Sequence, residues 1–175
     1  MAGSLIKIDE EIVTSTSSTV ELGGANWDSS YDVYLVQYTM VCSTSPNDFD
    51  MRFLASGTAV TTANYDCAFK GLRTDTTFSN LPYTNETFFP VAGGWSVEEN
   101  GMANTIYLFN FNNSSEYSFF TCEQVVYNSA SSRALGVQGG GVYTVTEAHN
   151  GISIGNFNGG GTIESGTFTL YGLKK

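Results

Sequence analysis

Apolar and polar residues alternate with period two along most of the chain, and no helical period interrupts them. A period of two places successive side chains on opposite faces of a strand. Tyr31 to Val41 is the longest clear run, with Tyr31, Val33 and Leu35 on one face and Tyr34, Val36, Tyr38 and Met40 on the other. Apolar residues on both faces predict a central strand, covered by the core on one side and by a neighbouring subunit or loop on the other. Tyr34, Val36, Tyr38 and Met40 are the candidate interface strand. Asp48 to Leu54 is expected to point Phe49, Met51 and Phe53 inward and Asp50 and Arg52 outward. Tyr65, Cys67 and Phe69 share a face in the next run, and Thr105 to Phe111 pairs with Tyr117 to Tyr127 across a turn at Asn112-Asn113-Ser114-Ser115.

Shorter strand pieces lie at Leu5 to Ile8, Glu11 to Thr14 and Thr19 to Leu22. Arg73 to Gly94 reads as a long decorated loop with one strand near Thr87 to Val91. Ala134 to Val137 is a further pairing segment. Gly139-Gly140-Gly141 and Gly159-Gly160-Gly161 read as hairpin turns between strands at Val142 to Thr146, Gly151 to Phe157 and Gly166 to Tyr171. In the last of these, Phe168 and Leu170 are expected inside. Short strands with a turn about every 8–12 residues predict an all-β protein, an antiparallel β-sandwich that is jelly-roll-like. The length fits a single such domain over 1–175. With two lysines after the last strand and four residues before Leu5, neither end is expected to act as a tether, so docking falls to the folded surface.

Composition narrows the partners. Seven basic residues against seventeen acidic ones, a net charge of −10, exclude a nucleic-acid binder, which neutralises phosphates with Lys and Arg. They equally exclude binding to an anionic membrane, and no run approaches a membrane span. The simplest role for the charge is to keep a neutral, Tyr-rich surface soluble. Cys42, Cys67 and Cys122 are odd in number, widely spaced and set in apolar stretches, which predicts buried, reduced thiols and folding in a reducing cytosol.

Candidate chemistry is sparse. His149, the single histidine, lies in the polar segment Glu147-Ala148-His149-Asn150 and is expected to be a turn-exposed spectator, without a G-x-S-x-G elbow or catalytic-cysteine context. Glu116, Glu123, Glu147 and Glu164 lie at strands or strand ends, so a jelly-roll glycoside hydrolase with paired carboxylates is the remote enzymatic alternative. Asp28-Ser29-Ser30-Tyr31-Asp32 and Asn47-Asp48-Phe49-Asp50 offer oxygen ligands but match no twelve-residue calcium loop, and Asx-type turns are the expected role. The Gly runs lack the following Lys-Ser/Thr of a phosphate cradle. No cofactor, metal or catalytic residue is assigned, and the chain is not expected to be an enzyme. Trp27 and Trp95, among Tyr, Asn and Ser, are the candidate recognition surface for a host surface glycan.

Leu5-Ile6-Lys7-Ile8-Asp9-Glu10-Glu11-Ile12-Val13, Asp28-Ser29-Ser30-Tyr31-Asp32-Val33-Tyr34 and Ser165 to Leu173 resemble stretches of small jelly-roll virion proteins of tailed phages, especially those of marine cyanobacteria. Thr105 to Phe111, Ser115-Glu116-Tyr117-Ser118-Phe119 and Ala134-Leu135-Gly136-Val137-Gln138-Gly139-Gly140 fit the same pattern, so the resemblance spans essentially the whole chain. It implies a non-enzymatic virion structural protein on the particle surface, assembled in the host cytoplasm. The implied role is a capsid decoration or knob, with itself as partner in a homotrimer and other virion proteins, such as the major capsid protein, as further partners. Some relatives carry an N-terminal fibre-attachment segment, which is not seen here. The alternative is a receptor- or carbohydrate-binding module of a tail fibre.

Overall fold

The computed structural model describes residues 4–43, 49–75, 78–91, 101–128 and 132–174. Among the described residues, twelve strands form two antiparallel sheets. The strands are β1 (Ser4–Val13), β2 (Thr19–Gly23), β3 (Val33–Cys42), β4 (Asp50–Ala55), β5 (Thr58–Ala59), β6 (Tyr65–Arg73), β7 (Phe78–Glu86), β8 (Met102–Phe109), β9 (Ser118–Asn128), β10 (Arg133–Tyr143), β11 (Gly151–Gly155) and β12 (Ile163–Lys174). The large sheet has the order β1-β12-β3-β8-β9-β10-β6-β7 and the small one the order β2-β11-β4-β5. Together they make a jelly-roll-like antiparallel β-sandwich, the architecture that the alternating pattern predicts.

Alternation decides which side chains enter the core. Along β9, Phe120, Cys122, Gln124 and Val126 are buried while Phe119, Thr121, Glu123, Val125 and Tyr127 face water. On β12, Phe168 and Leu170 are fully buried, and Phe49, Met51 and Phe53 enter the core as expected. Cys42, Cys67 and Cys122 are buried. Burial pushes the Cys122 thiol up to about 12 and raises Cys67 as well, so both are protonated and inert.

Several expectations are corrected. Tyr34, Val36, Tyr38 and Met40 do not form an interface strand: all four are in the core of this chain. The opposite face of β3 carries Leu35, which is only 4% exposed although it points away from the small sheet. Its register partners on either side are Tyr171 of β12 and Tyr107 of β8. Asp50 is buried, not outward, and its carboxylate accepts a bond from the Phe157 amide.

The stretch expected to be a decorated loop contains the nine-residue edge strand β7, paired with β6. Near Thr87 to Val91, pairing is limited to a bridge between Phe89 and Met51. Pro82 and the left-handed Asn85 disguise β7 in the sequence, and an edge strand tolerates both.

Gly139-Gly140-Gly141 is not a turn but the middle of β10. A Cβ at Gly141 would lie 2.6 Å from the Asp66 carbonyl oxygen, the Cys67 Cβ and a ring carbon of Phe120. The strands on either side fill the space that a side chain would need. The second run, at 159–161, lies in the connection between β11 and β12, but these strands belong to different sheets and do not pair, so it is a crossing between sheets and not the hairpin turn expected.

Candidate functional site

The turn between β8 and β9 and the segment before β3 build the first candidate. Asp28 accepts a bond from the Ser30 amide at 3.0 Å, closing the Asx turn expected there. Hydrogen bonding from Ser30 holds the Asp28 carboxyl below its usual value. Asn112 joins this segment to the β8–β9 turn. Its amide donates to the Tyr31 carbonyl and the Tyr34 hydroxyl, each at 2.7 Å, and its oxygen accepts from Trp27 Nε1 at 2.9 Å. The Trp27 ring lies 4.0 Å from Tyr34 and 5.7 Å from Phe111, centroid to centroid.

Trp27 is half-buried, with its polar edge and one ring surface already engaged, so the structure places it as a clamp between loops. Trp27→Ala is expected to cost about 2–3 kcal/mol, somewhat less than a fully buried tryptophan, read from urea denaturation. A loss below half a kcal/mol would contradict the clamp. Trp95 lies outside the described residues.

His149 is the second candidate and the largest departure from expectation. It is buried in the core, and its ring lies 4.9 Å from Phe53, 5.1 Å from Tyr143 and 5.4 Å from Phe111. Nδ1 shares a 2.8 Å hydrogen bond with the buried Ser118 hydroxyl, and Nε2 lies 3.7 Å from the Glu147 carboxylate. Burial lowers the imidazole to about 4, so it is neutral at pH 7. A Ser–His–Glu order invites a nucleophile reading, but Ser118 is fully buried and no substrate reaches its oxygen. No local sequence signal marks its burial, because the segment around His149 is polar and its apolar neighbours are brought to it by folding.

The carboxylates do not converge into an evident pair. Glu123 accepts from Gln138 at 2.9 Å, and Glu116 accepts from Asn110 at 3.1 Å. Glu116 lines a recess of about 360 Å³ with Asn110, Ser115, Tyr117, Phe119 and Thr146, and none of Glu123, Glu147 or Glu164 lines it. Glu123 shares a cross-sheet row with Glu10, but four strand spacings, roughly 19 Å, separate them, well beyond a glycosidase pair. Among the described residues no group of three or more His, Cys, Asp or Glu could hold a metal.

The remaining candidate is the solvent face of the large sheet. Register aligns its side chains in rows across the strands. One row contains Tyr171, Leu35, Tyr107, Thr121, Gly140 and Ala68. The next is polar throughout: Glu10, Thr169, Gln37, Thr105, Glu123, Gln138, Lys70 and Asn80. A third, from Ile12 through Thr167, Thr39, Ala103, Val125, Gly136 and Leu72 to Phe78, is apolar at both ends. Its small middle residues floor a trough of about 660 Å³, bounded by Ile12 on one side and by Val125 and Tyr127 on the other. Phe78 is 68% exposed.

Fold and surface thus define an antiparallel β-sandwich with a long, open sheet face. No family model and no curated protein matches the chain. Solved structures that align with it include an exo-inulinase from Aspergillus awamori, 11% identical with a TM-score of 0.41, over 97% of this chain and 29% of that one. An endo-β-1,4-glucuronan lyase from the fungus Trichoderma reesei aligns at 6% identity and a TM-score of 0.37, over 99% of this chain and 87% of that one. An alginate lyase from Aplysia kurodai aligns at 8% and 0.27, over 96% and 81%. This chain therefore spans under a third of the inulinase. Likeness at this depth carries no argument about function, and the fold stands on the two sheets themselves.

Proposed function

We propose that this chain is a non-enzymatic virion structural protein, displayed on the surface of a tailed-phage particle as a capsid decoration or knob. It assembles as a homotrimer in the host cytoplasm and docks on other virion proteins, such as the major capsid protein, through its folded surface. The observation that carries the reading is the third row on the solvent face of the large sheet, where Ile12, Leu72, Phe78 and Val125, with Tyr127 beside them, are exposed. Exposed apolar groups gathered on one face are costly for an isolated soluble protein and mark a contact surface. A second copy of the chain is the occupant in this reading, because closed cyclic assembly is the common way to cover such a face. The resemblance of the β1, β3 and β12 sequences to phage virion proteins supports the same assignment, as do the three reduced thiols.

Mass spectrometry of purified mature particles is expected to detect the chain, and its absence would remove the virion role. Light scattering at high micromolar concentration is expected to give the mass of three copies, and Val125→Asp is expected to shift it towards one. A monomer before substitution would contradict the assembly.

The alternative, a receptor- or carbohydrate-binding module, draws on exposed aromatic side chains. Since Trp27 is engaged within the fold, its support passes to Tyr107 and Tyr171 on the open sheet face.

A further inference from the structure

We infer that the strip between Tyr171 and Tyr107 on the solvent face of the large sheet binds a neutral, linear, β-linked oligosaccharide laid across the strands. The inference does not depend on the virion role. Tyr171 on β12 and Tyr107 on β8 are both register partners of Leu35 on β3 and project to the same side. Two strand spacings, about 10 Å, separate them, close to the length of a disaccharide repeat in an extended β-1,4 chain. A chain lying along this row therefore brings every second sugar over a ring. Leu35, almost fully buried, lies between the two tyrosines in the register and makes the floor between them apolar.

The flanking chemistry matches the edges of a pyranose. Two residues along the strands, about 7 Å from the aromatic row, lie Gln37 and Thr105, which supply an amide and a hydroxyl, while the Thr169 hydroxyl beside them is buried and donates to Glu10. Thr121 extends the aromatic row itself beyond Tyr107. The C–H face of a sugar stacks on an aromatic ring while its equatorial hydroxyls reach sideways to such groups, the usual division of labour in a mixed apolar and polar site. A peptide is a poorer fit, because an extended chain pairs with a sheet edge and not with its face.

Charge selects a neutral ligand. The side chains between the two tyrosines are uncharged. At one end Lys7 is paired with Glu10 at 3.1 Å, and at the other Glu123 is held by Gln138. A net charge of −10 on the whole chain disfavours a polyanion. The strip lies about 13 Å along the strands from the Ile12–Phe78 row, four residues away at the strand rise.

The test is calorimetric titration of the full chain with cellohexaose, mannohexaose and xylohexaose, with a glucuronic acid oligomer as the anionic comparison. Saturable binding is expected for at least one neutral hexasaccharide, with the matching disaccharide and the anionic oligomer at least tenfold weaker. Tyr107→Ala and Tyr171→Ala are each expected to weaken binding about tenfold, the loss of one stacking contact. Tyr107→Phe, which keeps the ring, is expected to stay within about threefold. Thermal melting of each variant separates lost binding from lost folding. The inference is overturned if none of the neutral oligomers binds up to about 10 mM, where affinity is below any specific contact. It is equally overturned if binding survives both alanine substitutions. Neither result bears on whether the chain is found in virions.

Discussion

Phe53→Ala is expected to lower folding stability by about 3–5 kcal/mol, the cost of removing a large aromatic side chain from a packed core. Phe53 is fully buried on β4, in the small sheet. Its ring lies 4.5 Å from Phe111, 5.2 Å from Phe89, 5.9 Å from Tyr65 and 6.1 Å from Tyr143, so it packs against residues of both layers. The void that alanine leaves is walled by rings that are themselves locked in place. Tyr65 donates its hydroxyl to the Val60 carbonyl at 2.9 Å and accepts from the Phe53 amide at 3.2 Å. Tyr143 shares a 2.8 Å bond with Thr62. Collapse around the void is therefore limited, which places the loss towards the upper end of the range. Against a typical total of about 5–15 kcal/mol, this removes at least about a fifth of the stability. Urea denaturation reads it directly, and Phe53→Leu is expected to lose much less because it refills most of the volume. A loss under 1 kcal/mol for the alanine variant would show that the two sheets do not share this aromatic centre.

Acid is expected to destabilise the fold through His149, by about 3 kcal/mol between pH 6.5 and pH 4. The imidazole titrates near 4 when folded and near 6.5 in the unfolded chain, because burial among Phe53, Phe111 and Tyr143 disfavours the charged ring. Between those values the unfolded state binds more protons, so stability falls as pH falls. Above 6.5 both states are neutral and the contribution is complete. Glu147 lies 3.7 Å from Nε2 but is partly exposed, so solvent screening leaves it too weak to offset the burial. Stability measured by urea denaturation from pH 7.5 to 4 is expected to decline on this schedule. The His149→Gln variant, neutral throughout, is expected to start lower and decline less. Parallel acid limbs for the two proteins would refute the assignment.

The difference between expectation and structure is instructive at particular residues. Phe168 and Leu170 were legible because a two-residue period on a short strand has one apolar face, and burying that face requires no knowledge of neighbours. Tyr34, Val36, Tyr38 and Met40 were harder, because β3 is apolar on both faces and periodicity alone does not say which one meets the second sheet. Packing of its Tyr34 face into the core between the sheets decided it, leaving Leu35 beside Tyr107 and Tyr171, 72 and 136 residues away in sequence. The glycines of β10 read as a turn because glycine marks turns in isolation, while their actual role depends on Phe69, Cys67 and Phe120 approaching from both sides.

Polar residues inside the core were the least legible. Asn104 and Gln124 are register partners buried side by side, with the Asn104 amide donating to the Tyr38 hydroxyl at 2.9 Å. Burial holds that hydroxyl well above its usual range. His149 entered the core for the same kind of reason: Ser118 meets one ring nitrogen and aromatic rings surround the rest. A polar side chain is tolerated inside when a partner is waiting, and the partner is 31 residues distant for His149 and 66 for Asn104.

By itself, then, the sequence determined the all-β class, the strands with one apolar face, the inert thiols and the Asx turn at Asp28, all consequences of local geometry. The tertiary structure alone decided which face of β3 is inside, that a glycine run is a strand, that the single histidine is buried, and that Tyr171 and Tyr107 stand one strand either side of Leu35. Those facts come from long-range register, since a strand's pattern states how its side chains alternate but not which strands will lie beside it.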